Sequence, residues 1–301
     1  MNITKLFHPL TRHEFLEHYL KGQPVVAHNI EGLEKLAAHP MLKSINSLIE
    51  SWPTTVNAYQ DGTADEVNSI AIPAKEALLL FNEKRCGLFF DDPNRFDPFI
   101  EELLQELRID LGLSNLTYSR SLIYAIAKGK GTATHFDQNI NFVLQMTGTK
   151  KWWIAPNKSV INPLVRHTLG HPVDPELESY SHSFPESMPE DATEYTLKPG
   201  SVLFLPRGCW HKTEALADAL SLNFTYSAPS WLDLVSAAIR SRLVHSEAWR
   251  ETADFVNDPE LSPHAINKFD QLLNEFAKDA ATWKASDILA ATEQSSSAVG
   301  E

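Results

Sequence analysis

Two histidines and an aspartate have the residue types and the spacing of a metal site. His135 and Asp137 are separated by one residue, and residues two apart in a β-strand share a face, so both can bind one ion. His211 is the last residue of the strand-and-turn sequence KPGSVLFLPRGCWH, which can fold back beside the first strand. Two imidazoles and one carboxylate make a facial set that leaves positions open on the metal. The sequence therefore predicts a metal site of His135, Asp137 and His211.

Polar residues on nearby strands are expected to line the same site. Asn141 keeps the strand parity of His135 and Asp137, and an interior Asn needs a hydrogen-bond partner. In the sequence ALSLNFTYS, the residues Ser221, Asn223 and Thr225 share one face and apolar residues share the other. Either this polar face lines the site, or it is the solvent side of an edge strand.

Three motifs resemble the JmjC oxygenases, in particular a hydroxylase branch that includes the asparaginyl hydroxylase of hypoxia-inducible factor and bacterial ribosomal oxygenases. They are THFDQNINFVLQMTGTKKWWI, LKPGSVLFLPRGCWHKTEAL and LSLNFTYS, with a weaker match at EFLEHYLKGQPVV. Together they cover most of residues 12–228. The resemblance implies a mainly β fold with flanking helices, in which a double-stranded β-helix (jelly-roll, cupin) core is followed by C-terminal helices.

The resemblance also implies a 2-oxoglutarate site. Lys150, fifteen positions after His135, matches a basic residue that pairs with the distal carboxylate of 2-oxoglutarate. Thr132 matches a hydroxyl residue that contacts this cosubstrate, and Asn141 and Asn223 match asparagines beside the metal and cosubstrate. Strand parity separates Lys150 from its neighbour Lys151, because the two point to opposite faces.

The implied activity is oxygenation with iron(II), 2-oxoglutarate and O2, which yields succinate and CO2. Hydroxylation of a protein or peptide side chain is the preferred reading. The alternatives are N-methyl demethylation, hydroxylation of a small molecule or natural product, and, less favoured, a cupin that binds metal without oxygenase activity. The same resemblance implies a possible homodimer through the C-terminal helices, although their apolar stripes could equally cover the barrel of their own chain.

The elements that must position these residues divide the chain into four regions. Residues 1–115 are expected to form a helical and β flanking region, and residues 116–228 a core of short strands rich in Val, Ile, Phe, Trp and Thr. Residues 156–199 form an insertion that is rich in Pro, Ser and acids, and a functional surface is expected there. The stretch from 229 to 290 is helical, and 291–301 has the composition of a disordered tail.

The amino-acid composition limits the classes of binding partner and the cellular compartment that are expected. The 301 residues carry a net charge of -13, and no basic run is long enough to follow a phosphate backbone, so nucleic acid is not expected to bind. This acidic balance favours a neutral or basic partner. Cys86 and Cys209 lie far apart, which fits a reducing cytoplasm. No apolar run is long enough to cross a membrane, and the histidines of the insertion, His167, His171 and His182, are expected to be solvated.

Overall fold

The computed structural model describes residues 1–28, 30–59, 63–64 and 69–290. The tail expected at 291–301 lies outside these residues. Within the described part of the chain, no helix has both the length and the apolar character that a membrane span requires.

The region before residue 116 contains seven α-helices and five strands in its described part. The helices are α1 (Ile3–Leu6), α2 (Arg12–Leu20), α3 (Leu33–Ala38), α4 (Pro40–Lys43), α5 (Ile45–Ser51), α6 (Ala74–Lys84) and α7 (Pro98–Asp110). The strands are β1 (Val25–Ala27), β2 (Thr55–Tyr59), β3 (Thr63–Ala64), β4 (Ser69–Pro73) and β5 (Leu88–Asp91). The sequence pattern from 33 to 51 predicts a helix, and the structure divides it into three short ones, because Pro40 is the first residue of α4 and Ser44 is the N-cap of α5.

The central region is made mostly of strands. They are β6 (Tyr118–Ile126), β7 (Gly131–Thr132), β8 (His135–Phe136), β9 (Ile140–Thr147), β10 (Lys150–Ala155), β11 (His167–Thr168), β12 (Thr193–Leu197), β13 (Val202–Leu205), β14 (Trp210–Ala215) and β15 (Ala219–Ser227). A short helix, α8 (Pro175–Tyr180), lies between β11 and β12. The mainly β fold class is confirmed.

Two antiparallel sheets form the core. The larger has the order β1-β13-β9-β15-β6-β5-β2-β4, and the smaller has the order β11-β8-β14-β10-β12. Strands β2, β4 and β5 come before residue 116 but extend the same sheet as β6. By their contacts, residues 1–113 and 118–227 make one compact unit.

Strand alternation gives the larger sheet two different faces. Phe142 and Phe224 belong to an apolar cluster with the N-terminal helices, which includes Phe15 of α2. Their neighbours point the other way, and Val143 packs with Trp152 of the smaller sheet. The space between the two sheets therefore receives Asn141, Asn223 and Thr225 together with apolar side chains such as Val143 and Leu205.

Several expected elements differ in the structure. The sequence predicts one continuous strand over 134–146, but the structure has a break between Phe136 and Ile140, and Asp137 lies in that break. The insertion contributes β12, an edge strand of the smaller sheet that alternates too weakly in hydrophobicity to be recognised. His167 is not solvated: it is 6% exposed, because its ring stacks on Phe184 at 4.6 Å between ring centroids.

The second compact unit contains residues 114–117 and 228–301, described here as far as 290. It is helical, as expected, with α9 (Trp231–Leu243), α10 (Glu247–Arg250) and α11 (Ser262–Ala280). No residue of these helices is buried. Ile266, Phe269 and Leu273 lie on one side of α11 and are 58%, 53% and 41% exposed.

Gly131 in β7 is expected to tolerate no side chain. A Cβ atom there would lie 1.7 Å from the carbonyl oxygen of Thr213, whereas a Cβ on Gly170 would meet nothing within 4 Å. We predict that Gly131→Ala lowers the free energy of unfolding by about 3 kcal/mol or more, because β14 backbone must move. Gly170→Ala, whose φ of +87° brings only backbone strain, should cost about 1 kcal/mol or less. Equal midpoints in thermal or urea unfolding would contradict this prediction.

Candidate active site

The two histidines of the expected triad face each other across neighbouring strands. His135 of β8 pairs directly with His211 of β14, so a residue distant in sequence is brought beside the first ligand by strand register. Asp137 follows β8 immediately, and the backbone N–H of Gly208 donates to its carbonyl oxygen at 2.9 Å. The loop that carries Asp137 is therefore tied to the turn that precedes His211.

The potential ligand atoms converge on one point. His135 Nε2 lies 4.0 Å from Asp137 Oδ1, and His211 Nε2 lies 3.7 Å from Asp137 Oδ2. Among the described residues, His135, Asp137 and His211 are the one group of three or more His, Cys, Asp or Glu side chains able to hold a metal ion. Such spacing suits a single ion bound by all three.

Backbone carbonyls fix the orientation of both imidazoles. His135 Nδ1 donates to Ala133 O at 2.7 Å, and His211 Nδ1 donates to Cys209 O at 3.0 Å. Because a carbonyl oxygen accepts only, each Nδ1 carries the proton and each Nε2 presents a lone pair. That is the form in which an imidazole binds a metal.

The carboxylate of Asp137 is held by a chain of hydrogen bonds from the larger sheet. Thr225 Oγ1 donates to Asn141 Oδ1 at 2.6 Å, and Asn141 Nδ2 donates to Asp137 Oδ2 at 3.2 Å. On the other side, Arg166 Nε lies 3.3 Å from Asp137 Oδ1. Asn141 of the larger sheet and Arg166 of the insertion therefore orient the carboxylate from two sides.

Protonation also favours metal binding. Burial, with His211 as the next cause, lowers the pKa of His135 to about 3, and burial lowers the pKa of His211 as well. Burial acts to raise the pKa of Asp137, but the two imidazoles, Arg166 and the Asn141 hydrogen bond bring it below its usual value. At neutral pH the triad is thus two neutral imidazoles and a carboxylate, as a divalent ion requires.

A cavity of about 300 Å³ opens beside the triad, between the two sheets. Eight of the residues that the sequence singled out line it: Thr132, His135, Asp137, Asn141, Lys150, His211, Asn223 and Thr225. Ser221, which was expected on the same face as Asn223 and Thr225, is buried outside this lining. The edge-strand alternative for Asn223 and Thr225 is wrong, because β15 pairs on both sides, with β6 and with β9.

Lys150 places a buried positive charge in this cavity. Its side chain is 3% exposed, and burial lowers its pKa to about 8. Its Nζ lies over the rings of Tyr124 and Trp152, at 5.7 Å and 5.2 Å from their centroids. Lys151 points the other way and pairs with Glu194 at 2.7 Å. Strand parity therefore separates the two lysines as expected.

Other polar groups of the cavity suit a ligand with several oxygens. Asn223 Oδ1 and Trp152 Nε1 are buried without a hydrogen-bond partner among the described residues. Thr132 lines the cavity, and its Oγ1 lies 3.0 Å from Thr213 Oγ1, so the Thr132 hydroxyl can accept from Thr213 and donate its own proton to a bound oxygen. The buried ammonium of Lys150 and the unpaired N–H donor of Trp152 beside a metal triad fit a dicarboxylate that chelates the metal.

Sequence reasoning missed five basic or aromatic residues of the cavity, namely Tyr59, Tyr118, Arg120, Tyr124 and Arg166. Tyr124 and Arg120 lie on the same face of β6, but no motif distinguished them. Arg166 belongs to the insertion and directly precedes β11, whose two residues are too few to show any period. Only the pairing of β11 with β8 brings it to the triad.

Comparison with known proteins agrees with this architecture. A family profile described as the JmjC domain matches residues 98–234. The chain is 33% identical over 260 residues to the uncharacterised protein YxbC of Bacillus subtilis, an alignment that covers 83% of this chain and 78% of that one. This chain belongs to the JmjC domain family. The fold and the family expected from the three motifs are confirmed.

Other JmjC relatives are larger proteins. The chain is 29% identical over 178 residues to ribosomal oxygenase 2 of Bos taurus, covering 58% of this chain and 34% of that one. It is 24% identical over 232 residues to the bifunctional lysine-specific demethylase and histidyl-hydroxylase NO66 of Drosophila persimilis, covering 75% and 31% respectively. The chain thus spans about a third of the length of these relatives.

A solved JmjC-type structure shares the fold. The ribosomal oxygenase YcfD of Escherichia coli, in complex with cobalt and 2-oxoglutarate, superposes with a TM-score of 0.57 at 20% identity. The match covers 89% of this chain and 67% of that one. At this identity the similarity establishes the shared fold.

The hydrogen-bond chain behind Asp137 generates a prediction for metal binding. Thr225→Val removes the bond to Asn141 with little change in volume, so we expect the affinity for Mn(II) or Co(II) to fall roughly tenfold. Asp137→Ala should weaken binding further, because it removes the anionic ligand itself. Ser221→Ala, a buried hydroxyl on the same strand outside the cavity lining, is the control and should bind as wild type does. Calorimetric titration measures all four proteins, and an unchanged affinity in Thr225→Val would contradict the prediction.

Proposed function

We propose that this chain is an iron(II)- and 2-oxoglutarate-dependent oxygenase that hydroxylates a side chain of a protein or peptide. The observation that carries the proposal is Lys150, a buried cation in the same cavity as the triad. A buried ammonium is costly unless an anion meets it. A dicarboxylate that reaches from Lys150 to a metal at the triad supplies that anion.

Each residue has a distinct role in this proposal. His135, Asp137 and His211 hold iron(II), and Lys150 binds the distal carboxylate of 2-oxoglutarate by a charge-assisted hydrogen bond. Thr132 and Asn223 complete the cosubstrate site, while Asn141 orients Asp137. When bound, iron and 2-oxoglutarate supply the oxidising chemistry, which consumes O2 and releases succinate and CO2. The apolar walls, Val143, Trp152 and Leu205, keep water from the reacting groups.

The choice of hydroxylation over demethylation rests on two considerations. The motifs most similar to this chain belong to hydroxylases, and relatives named as ribosomal oxygenases and as a histidyl-hydroxylase match it. The name of one relative also includes lysine-specific demethylase activity, so demethylation is the second candidate.

We also propose that the protein is cytoplasmic. Both of its cysteines are free thiols, which is typical of proteins from a reducing compartment.

The proposal predicts that Lys150→Ala binds metal normally but loses 2-oxoglutarate. Removal of a buried charge-assisted contact should cost about 2–4 kcal/mol, or roughly 30- to 1000-fold in affinity. Lys151→Ala is the matched control, because it removes the same charge from the outer face of the same strand. Anaerobic titration with 2-oxoglutarate measures both. Equal affinities of Lys150→Ala and wild type, or a larger loss in Lys151→Ala, would overturn the cosubstrate site.

The pH dependence of the affinity for 2-oxoglutarate is a second test of the role of Lys150. The carboxylate binds the protonated amine, and the pKa of Lys150 is about 8 in the free protein. In Mn(II)-loaded protein, affinity for 2-oxoglutarate should therefore be constant below pH 8 and fall by up to about tenfold per pH unit above it. Lys150→Arg stays charged throughout. It should recover part of the affinity and lose this dependence.

We further propose that the chain forms a homodimer through the helical unit. Ile266, Phe269 and Leu273 form an exposed apolar stripe on α11, and a second copy of the same stripe would cover it. In sedimentation velocity at micromolar concentration, the wild type should be a dimer and Ile266→Glu largely a monomer. Gln271→Glu places the same charge on the opposite side of α11 and should stay dimeric. A monomeric wild type removes this proposal.

A further inference from the structure

Four residues form a continuous rim on one side of the cavity, and the rim leads to Asp137. Tyr118, the first residue of β6, pairs with Ser227, the last residue of β15. The Ser227 hydroxyl donates to Asn139 Oδ1, and Gln138 follows between Asn139 and Asp137 in the chain. The rim residues, Tyr118, Ser227, Asn139 and Gln138, all line the cavity. The rim therefore crosses three neighbouring segments of the larger sheet, because β15 lies between β6 and β9.

The rim lies at the opposite end of β6 from the proposed cosubstrate site. Tyr118 and Tyr124 share a face of β6, and about 20 Å of strand separates them. The Lys150 ammonium lies over the Tyr124 ring, with Nζ 5.7 Å from the ring centroid. In the proposed complex, 2-oxoglutarate reaches only from Lys150 to the metal, so it does not fill the end of the cavity beside Tyr118. That end is left for the substrate.

Gln138 differs from the two other amide side chains next to the triad. Asn141 donates to Asp137. Asn139 accepts from Ser227. The Gln138 side chain is half-buried and lines the cavity, yet it has no hydrogen bond within the described part of the chain. An amide has both donors and an acceptor, so it is complementary to another amide. Gln138 is thus available to a peptide group that approaches the metal.

Tyr118 presents an aromatic ring at the other end of the rim. It is 55% exposed, and its side chain makes no hydrogen bond or ring contact among the described residues. A single exposed aromatic residue is common on protein surfaces, but this one lines the cavity that contains the triad. An aromatic ring offers a large apolar face and loses little conformational entropy on binding. Tyr118 therefore suits an apolar side chain of the substrate.

The length of the rim matches a short stretch of extended peptide. Neighbouring strands lie about 4.8 Å apart, so the two steps from β6 through β15 to β9 cover roughly 10 Å. An extended chain advances about 3.3 Å per residue, and about three residues therefore span the same distance. A peptide with one residue at the metal thus brings its backbone to Gln138 and a more distant side chain to Tyr118.

We infer that Gln138 and Tyr118 determine substrate specificity by binding the substrate as an extended peptide. Gln138 hydrogen-bonds the peptide group next to the oxidised residue, and Tyr118 packs against an apolar side chain about three residues away. The inference rests on the oxygenase function proposed above. It also narrows that function, because a small-molecule substrate is too short to make both contacts.

The test incubates the protein in air with iron(II), ascorbate, 2-oxoglutarate and a random library of acetylated peptide amides. The peptides have about ten residues, which span roughly 30 Å when extended, and the library omits Met, Cys and Trp because these oxidise without an enzyme. Sequencing by mass spectrometry locates each added oxygen atom. Leu, Ile, Phe and Tyr should be enriched roughly fivefold at one position, about three residues to one side of the oxidised residue.

Variants assign this enrichment to the rim. Tyr118→Ala should abolish it, whereas Tyr118→Phe keeps the ring and should retain it. Leu20→Ala removes a side chain that is 82% exposed and lies outside the cavity lining, and it should retain the enrichment too. Gln138→Met removes the amide at similar length. It should lower kcat/KM roughly tenfold for different oxidised peptides alike and keep the enrichment, because Gln138 contacts backbone. Gln23→Met, at an exposed position outside the lining, is its control and should react as wild type does.

Several results would overturn the inference. They are oxidised peptides without an enriched position, an enrichment that persists in Tyr118→Ala, and an unchanged kcat/KM in Gln138→Met. The enrichment is a ratio within one sample, so a lower folded fraction of a variant does not alter it. Succinate formation without oxidation of any peptide also overturns the inference, but it leaves the 2-oxoglutarate oxygenase in place. If wild type forms no succinate with or without the library, the proposed function fails together with the inference.

Discussion

The direct pairing of His211 with His135 across β14 and β8 is the constraint on which the site depends. Strand register sets it, and a slip of one residue would turn either imidazole to the opposite face of the sheet. The two carbonyls that accept from the imidazole Nδ1 atoms belong to residues two positions earlier in each chain segment, so backbone position also fixes ring orientation. Asp137 lies where β8 ends. Its side-chain direction is therefore not set by strand alternation, and the hydrogen bonds from Thr225 to Asn141 and from Asn141 to Asp137 orient the carboxylate.

The sequence alone predicts those parts of the molecule in which the site residues lie on strands with a clear two-residue alternation. Period-two alternation distinguishes Lys150 from Lys151 and places Asn223 and Thr225 away from the helices, because strands β10 and β15 are long enough to show it. The three motifs also identify the fold, which the jelly-roll sheets confirm. Helix α7 can also be predicted from the sequence, because Asp97 is a typical N-cap and Pro98 occupies the first helical position.

Other parts could not be read from sequence, for physical reasons that differ. β11 has two residues and β12 is a partly exposed edge strand, so neither carries a hydrophobic pattern, and Arg166 reaches the cavity only through β11. The irregular spacing of the histidines in the insertion predicts that His167 is solvated, as loop histidines commonly are, but residues distant in sequence, Phe136 and Trp210, bury it. The two arginines that line the cavity, Arg120 and Arg166, are likewise hidden from composition. An acidic chain can gather arginines from β6 and from the insertion at one point.

The buried amine of Lys150 has a consequence for covalent chemistry. An amine with a pKa of about 8 is substantially neutral in mildly alkaline solution, and a neutral amine is a nucleophile. The cavity around it is open on one side and has a volume of about 300 Å³, which suits small electrophiles such as short aldehydes and activated esters. Burial therefore makes Lys150 a target for acylating or Schiff-base-forming reagents as well as a binding partner for an anion. An anionic ligand bound to Lys150 keeps the amine protonated and so protects it from these reagents.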